Sequence, residues 1–195
     1  MKRIVCALLL PALAGCLTSH QPESAEWPLD WPLGEEARET SRIEIRDSVT
    51  RLSQLLVNAP YDQCELQVLR KDRTLAADPC NRFVALPSRA LKGPALAVLN
   101  ASGKLGSVVA GSSSAVATRT LELTVTSLRL DCTAGSDDEA RRTAEASVSL
   151  LVLDAQRAIV GAVQGYGTAD AKSGDYGAAF AEAFAKALEG ALRRL

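Results

Sequence analysis

The sequence predicts an α/β (α+β) protein: a mostly antiparallel mixed sheet with two main helices packed on one face. Three patterns predict it. Residues 119–132 alternate, with Leu121, Leu123 and Val125 on one side and Glu122, Thr124 and Thr126 on the other. Residues 144–153 and 158–168 read as two further strands joined by the polar turn Asp154 to Arg157. Phe180, Phe184, Leu188 and Leu192 recur every four residues, flanked by Ala183, Ala187, Ala191 and Leu195. Glu182, Lys186, Glu189 and Arg193 fill the other face of that helix.

Taken in order, regular patterning starts near residue 41. Ile43, Ile45 and Val49, separated by charged residues, predict a first strand. A second covers Cys64 to Arg70, and the polar turn Lys71-Asp72-Arg73 leads to a short third strand near Thr74 to Ala77. Ser88 is placed to cap a helix running to Asn100, with Leu91, Ala95, Val98 and Leu99 as its apolar stripe. Pro94 kinks it or delays its start, and Ser102-Gly103 ends it. In the strand over 119–132 the apolar parity slips at Ser127, the mark of a bulge. Seven alanines between 178 and 191 give the last helix a narrow face suited to close approach to a sheet.

The 195 residues suit one domain with a substantial core. With 23% of residues charged and a net charge of −1, the composition favours neither a disordered acidic tail nor a nucleic-acid-binding basic stripe. No apolar run approaches the roughly 20 residues of a membrane-spanning helix. Lys2 and Arg3, then the apolar stretch Ile4 to Leu13, then Ala14-Gly15-Cys16, have the layout of a secretory signal. Residues 1–15 are accordingly expected as a leader, 16–40 as a tether and 41–195 as a single periplasmic domain. Loss of Lys2 and Arg3 lowers the 22 basic residues to 20 against 23 acidic ones, a net charge of −3. That leaves no electrostatic case for gripping anionic headgroups.

The tether carries Pro22, Pro28 and Pro32 and the charged run Glu35 to Glu39. Stretched, it spans roughly 80 Å; as a flexible coil about 27 Å is typical. It contains the repeat Trp27-Pro28-Leu29 and Trp31-Pro32-Leu33, which holds both tryptophans of the chain. These rings either pack on the protein's own domain or form an apolar strip for a partner.

His20, in the tether, is the only histidine, so the domain holds no histidine triad and no histidine metal site. Gly165-Tyr166-Gly167 and Ser112 to Ser114 lack the length and context of a phosphate loop. Asp137-Asp138-Glu139 reads as a solvated loop cluster. No residue is assigned to catalysis, to a metal or to a cofactor. Cys64 and Cys80 flank the expected hairpin, and in an oxidising periplasm a bond between them would close a loop worth roughly 3 kcal/mol. Cys132 is then a buried thiol; a rival pairing uses it.

Leu13-Ala14-Gly15-Cys16 resembles the bacterial lipobox. The resemblance implies a diacylglycerol on the Cys16 sulfur, cleavage before Cys16 and acylation of the new amine, an anchor of two or three chains that holds stably. Leu17, rather than Asp, after the anchor implies the outer membrane by analogy with enterobacteria. Ile43-Glu44-Ile45-Arg46, then Ala59-Pro60-Tyr61-Asp62 before a strand ending Leu69-Arg70, resemble the ABC-type transport auxiliary lipoprotein family. Arg82-Phe83 to Leu86-Pro87, Asn100-Ala101-Ser102-Gly103 and Gly174 to Ala179 resemble later segments of that family. The usual tyrosine-rich segment near the mature start is replaced here by the Trp-Pro-Leu repeat.

Membership implies a non-catalytic lipoprotein that docks with an ABC permease and a mammalian-cell-entry-type lipid carrier, moving lipids or other hydrophobic molecules across the periplasm. It implies no nucleotide site in this chain. Two readings from other classes stand beside it, an envelope assembly or secretion-complex lipoprotein and a lipid-binding module. Trp27, Trp31 and Tyr61 are the candidate docking residues, being aromatic yet outside the expected elements.

Overall fold

The computed structural model describes residues 24–29, 48–133, 142–171 and 175–195. The leader, Cys16, His20, Trp31, Ile43, Ile45 and the Asp137-Asp138-Glu139 loop lie outside the described residues.

Eight strands form one mixed sheet among the described residues. They are β1 (Ala25–Trp27), β2 (Val49–Val57), β3 (Glu65–Leu69), β4 (Leu75–Phe83), β5 (Ser107–Ala110), β6 (Arg119–Asp131), β7 (Thr143–Asp154) and β8 (Ile159–Asp170). The helices are α1 (Pro87–Ala90), α2 (Lys92–Ser102) and α3 (Tyr176–Arg193). Strands β6, β7 and β8 form an antiparallel meander and carry the two longest ladders. Two strands share the other edge of β6 in succession: β2 runs parallel to it up to the Val57–Val125 pair, and β3 joins at Val68–Leu130. Outside them lie β5 on β2, β4 on β3, and β1 on β4.

The expected class and the one-sided placement of the helices are what the structure has. Alternate residues of β7, from Ala144 to Val152, are buried together with Leu121, Leu123, Val125, Leu128 and Leu130 of β6. Onto this face α3 packs Phe180, Phe184 and Leu188, all fully buried, and α2 adds Ala95, Val98 and Leu99. The helix α3 lies close because β8 offers glycines: a Cβ at Gly165 would sit 1.9 Å from the Ala187 carbonyl oxygen, and one at Gly167 2.2 Å from that of Ala183. Asp175 caps its start, its carboxylate accepting from the Ala178 amide at 3.3 Å.

Two of the three outer strands, β8 and β5, carry side-chain hydrogen bonds on their backbones. Lys186 donates to the Thr168 carbonyl at 3.2 Å and Arg194 to that of Gln164 at 3.0 Å, so α3 covers part of β8. On β5 the Asn100 carboxamide mimics a neighbouring strand, giving 2.9 Å to the Val108 carbonyl and accepting 2.8 Å from its amide. Such contacts occupy groups that would otherwise recruit foreign strands.

Several local expectations change. The strand expected over Ile43 to Val49 is described from Val49 onward; a register shift between Leu52 and Gln54 spaces the buried Leu52 and Leu55 three apart and hides the alternation. The third strand runs on past Ala77 to Phe83 through a bulge over residues 78–81, where the Asp78 carboxylate accepts the Cys80 and Asn81 amides. The helix expected from Ser88 divides at Leu91, with Pro87 at its first position. Ser88 is not the cap: its amide is met by the Asp62 carboxylate at 2.9 Å. Gly103 ends α2 with a left-handed φ of 67°, and the bulge between Val125 and Ser127 lies where the parity slip puts it.

Candidate functional site

Strand geometry makes the other face of the sheet the place to look. If Leu128 and Leu130, Ala144 and Ala146, and Gly165 and Gly167 face the helices, then Arg129, Glu145 and Tyr166 point the opposite way. The register brings these three side by side, with Glu145 between Arg129 of β6 and Thr168 of β8, and Tyr166 one step along.

They form a closed set of contacts. Tyr166 donates its hydroxyl to Glu145 Oε1 at 2.7 Å, and Arg129 donates Nε to Glu145 Oε2 at 2.9 Å. Glu145 is 8% exposed and has both oxygens engaged, whereas Tyr166 is 57% exposed. A buried carboxylate thus fixes one cation and one exposed aromatic ring. Tyr and Arg are the residue types that most often anchor protein interfaces, and fixing them beforehand lowers the ordering cost of binding. Burial opposes the Arg129 charge, but the Glu145 hydrogen bond and charge outweigh it and hold the guanidinium above its usual range.

Burial of its hydroxyl, and then the hydrogen bond and charge of Glu145, push the Tyr166 phenol up from 10.0 to about 12. The folded pKa lies above the unfolded one. Its stabilising contribution is therefore complete below about pH 10 and lost as pH rises through about 12. A tyrosinate absorbance titration of the three tyrosines is expected to show a component near 12, and Tyr166→Phe to delete it. A component near 12 surviving in that variant would contradict the assignment.

Tyr61 lies in the turn that follows β2. Strand β2 ends at Val57 opposite Val125 and β3 begins pairing at Leu130, so a stretch of the β6 edge lacks a strand. The turn after β2 fills it: the Asn58 amide donates to the Val125 carbonyl at 2.9 Å and the Tyr61 amide to that of Asn58 at 2.8 Å, across a cis Ala59–Pro60 bond. Tyr61 is half-buried against the core and lies within electrostatic reach of Arg129. Leu56, 48% exposed, is an apolar residue on neighbouring β2.

Trp27 is elsewhere. Strand β1 adds it parallel to β4 opposite Phe83. Its indole Nε1 donates to Asn81 Oδ1 at 3.1 Å and its ring meets Tyr176 edge-on at 5.6 Å. Arg142 in turn donates to the Tyr176 hydroxyl and lies 5.8 Å from that ring's centre. The structure packs Tyr61 against the core and seats Trp27 on its own domain, while Trp31 lies outside the described residues.

Cys64, Cys80 and Cys132 are free thiols, and the Cys64–Cys80 bond expected from the sequence is not formed. The register explains it: the Cys64 carbonyl accepts from the Phe83 amide at 2.6 Å, while Cys80 sits in the Asp78 bulge. Burial pushes the Cys132 thiol up. Among the described residues no three His, Cys, Asp or Glu converge as a metal would require, and no helix is long and apolar enough to cross a membrane.

The residues that sequence reasoning missed are Arg129, Glu145 and Tyr166. One signal was present: an aromatic on the outward parity of an edge strand, held between two glycines.

No family model and no curated protein matches the chain. Among solved structures, it is similar to a DUF330-family protein from Xanthomonas campestris, with a TM-score of 0.52 and 16% identity over 75% of this chain and 80% of that one. It is also similar to an uncharacterised protein, with a TM-score of 0.55 and 15% identity over 88% of this chain and 99% of that one. At these identities the likeness is one of fold.

Proposed function

We propose that this chain is a non-catalytic lipoprotein, anchored through Cys16 to the outer membrane. It docks with the permease and lipid-carrier proteins of an ABC-type system that moves lipids or other hydrophobic molecules across the periplasm. The observation that carries the reading is the open sheet face, where Glu145 holds Arg129 and the exposed Tyr166 ready for a partner. The lipobox-like Leu13-Ala14-Gly15-Cys16 supports the anchor, and the segments resembling the auxiliary lipoprotein family support the transport context.

The anchor is tested by mass. Full-length protein extracted from membranes is expected to begin at Cys16 and to carry the mass of a diacylglycerol. Cys16→Ser should remain unprocessed. Equal masses for the two, with no lipid on either, would remove the anchor from the account.

A further inference from the structure

The seat of Trp27 recognises four successive residues. Glu26 faces Arg82, with carboxylate and guanidinium 3.7 Å apart. Trp27 gives its indole N–H to Asn81, rests edge-on against Tyr176 and accepts the Val84 amide at its carbonyl, 3.1 Å away. The Pro28 carbonyl lies against Gly177, where a Cβ would come within 2.2 Å of its oxygen. Leu29 is buried in the core, 3% exposed. The seat thus reads acidic-Trp-Pro-Leu along the edge of β4.

The next four residues, Asp30-Trp31-Pro32-Leu33, repeat that chemistry position for position: acid, indole, imide, isobutyl. Seated in place of the first tetrapeptide, they would set Asp30 opposite Arg82 and Trp31 opposite Phe83, a shift of four residues in the β1 register. An even shift keeps every side chain on its own face of the strand. The chain allows it: residues 34–47 reach roughly 46 Å when extended, longer than the roughly 43 Å of β6, the longest strand.

We propose that Asn81, Arg82, Tyr176 and Gly177 form a receptor site for an acidic-Trp-Pro-Leu strand, and that Asp30–Leu33 of the same chain is its second occupant. Exchange between the two registers pays out four residues of tether, roughly 13 Å. The domain then has two standing distances from whatever holds the N-terminal segment. Each tetrapeptide seats as a unit, because the acid, the indole and the leucine have separate partners.

Single-tryptophan variants of the otherwise intact chain test it. In Trp31→Ala, Trp27 is expected to be shielded from a collisional quencher. In Trp27→Ala, Trp31 is expected to become shielded to the same degree, and adding Asn81→Ala should expose it as much as it exposes Trp27. A second variant guards against misfolding of the first: deletion of Glu26–Leu29 places Asp30–Leu33 directly after Ala25. It should melt at the wild-type temperature, well above the Trp27→Ala/Trp31→Ala double variant. An exposed Trp31 in Trp27→Ala, shielding indifferent to Asn81→Ala, or a deletion that melts with the double variant would each overturn the proposal. Shielding that grows with protein concentration would overturn it too, by assigning the second tetrapeptide to another copy.

Discussion

Gly167→Val is expected to cost more than about 3 kcal/mol, because the new side chain must enter space held by backbone. A Cβ there would lie 2.2 Å from the Ala183 oxygen and 2.4 Å from the Ala187 nitrogen, so α3 must move as a body. Gly165→Val should cost as much, its Cβ meeting the Ala187 oxygen at 1.9 Å. Both glycines flank Tyr166, so lifting α3 also disturbs the strand that presents the exposed ring. Gly93→Ala is the control: beyond its chain neighbours and its own helix's backbone, no atom lies within 4 Å of the added methyl, and it should be stabilising by about 0.5 kcal/mol. Urea unfolding measures all three. Equal midpoints for Gly167→Val and wild type would mean that α3 does not lie against β8.

Phe180→Ala is expected to remove about 3–5 kcal/mol, a large share of the stability of an ordinary domain. Phe180 is fully buried and meets Phe83 edge-to-face at 5.2 Å and 78°. That contact joins α3 to β4, so one ring ties the helix to the strand that also seats Trp27. The loss combines transfer, the cavity left behind and the aromatic pair itself, the last worth about 0.5–1.5 kcal/mol. The same chemical unfolding measures it; a cost below about 1 kcal/mol would contradict the docking of α3 on β4.

What could be read from the residues, and what could not, divides on physical grounds. The meander β6 to β8 and α3 were legible because each runs for twelve or more residues, long enough for one-sided burial to impose a visible period. Even the bulge near Ser127 left a trace, as a parity slip. Elsewhere the period is interrupted. The shift after Leu52 disguised β2, and Asp78-Pro79 ended β4 early on paper. The four residues of β5 are too few to show a period. Ser88 looked like a cap because capping is read locally, whereas Asp62 reaches the helix start from 26 residues earlier. β1 was hidden in a proline-rich stretch, its three residues being too few to show a period.

The site follows the same division. Tyr61 stood out as an aromatic in a turn. Arg129, Glu145 and Tyr166 did not, because each occupies a polar position of an alternating strand and only the register makes them neighbours. Their grouping is long-range information: 16 residues separate Arg129 from Glu145 and 21 separate Glu145 from Tyr166.

The central claim is that the open sheet face of a lipid-anchored domain docks with a transport complex. Quantitative affinity purification from solubilised membranes tests it most directly, comparing the full-length wild type with Tyr166→Ala and with Cys16→Ser. The account predicts that ABC permease and mammalian-cell-entry-type carrier subunits co-purify with the wild type and fall away in Tyr166→Ala, which should still be lipidated and folded. Secretion or wall-synthesis proteins in their place, or transporter subunits retained in full by Tyr166→Ala, would contradict it.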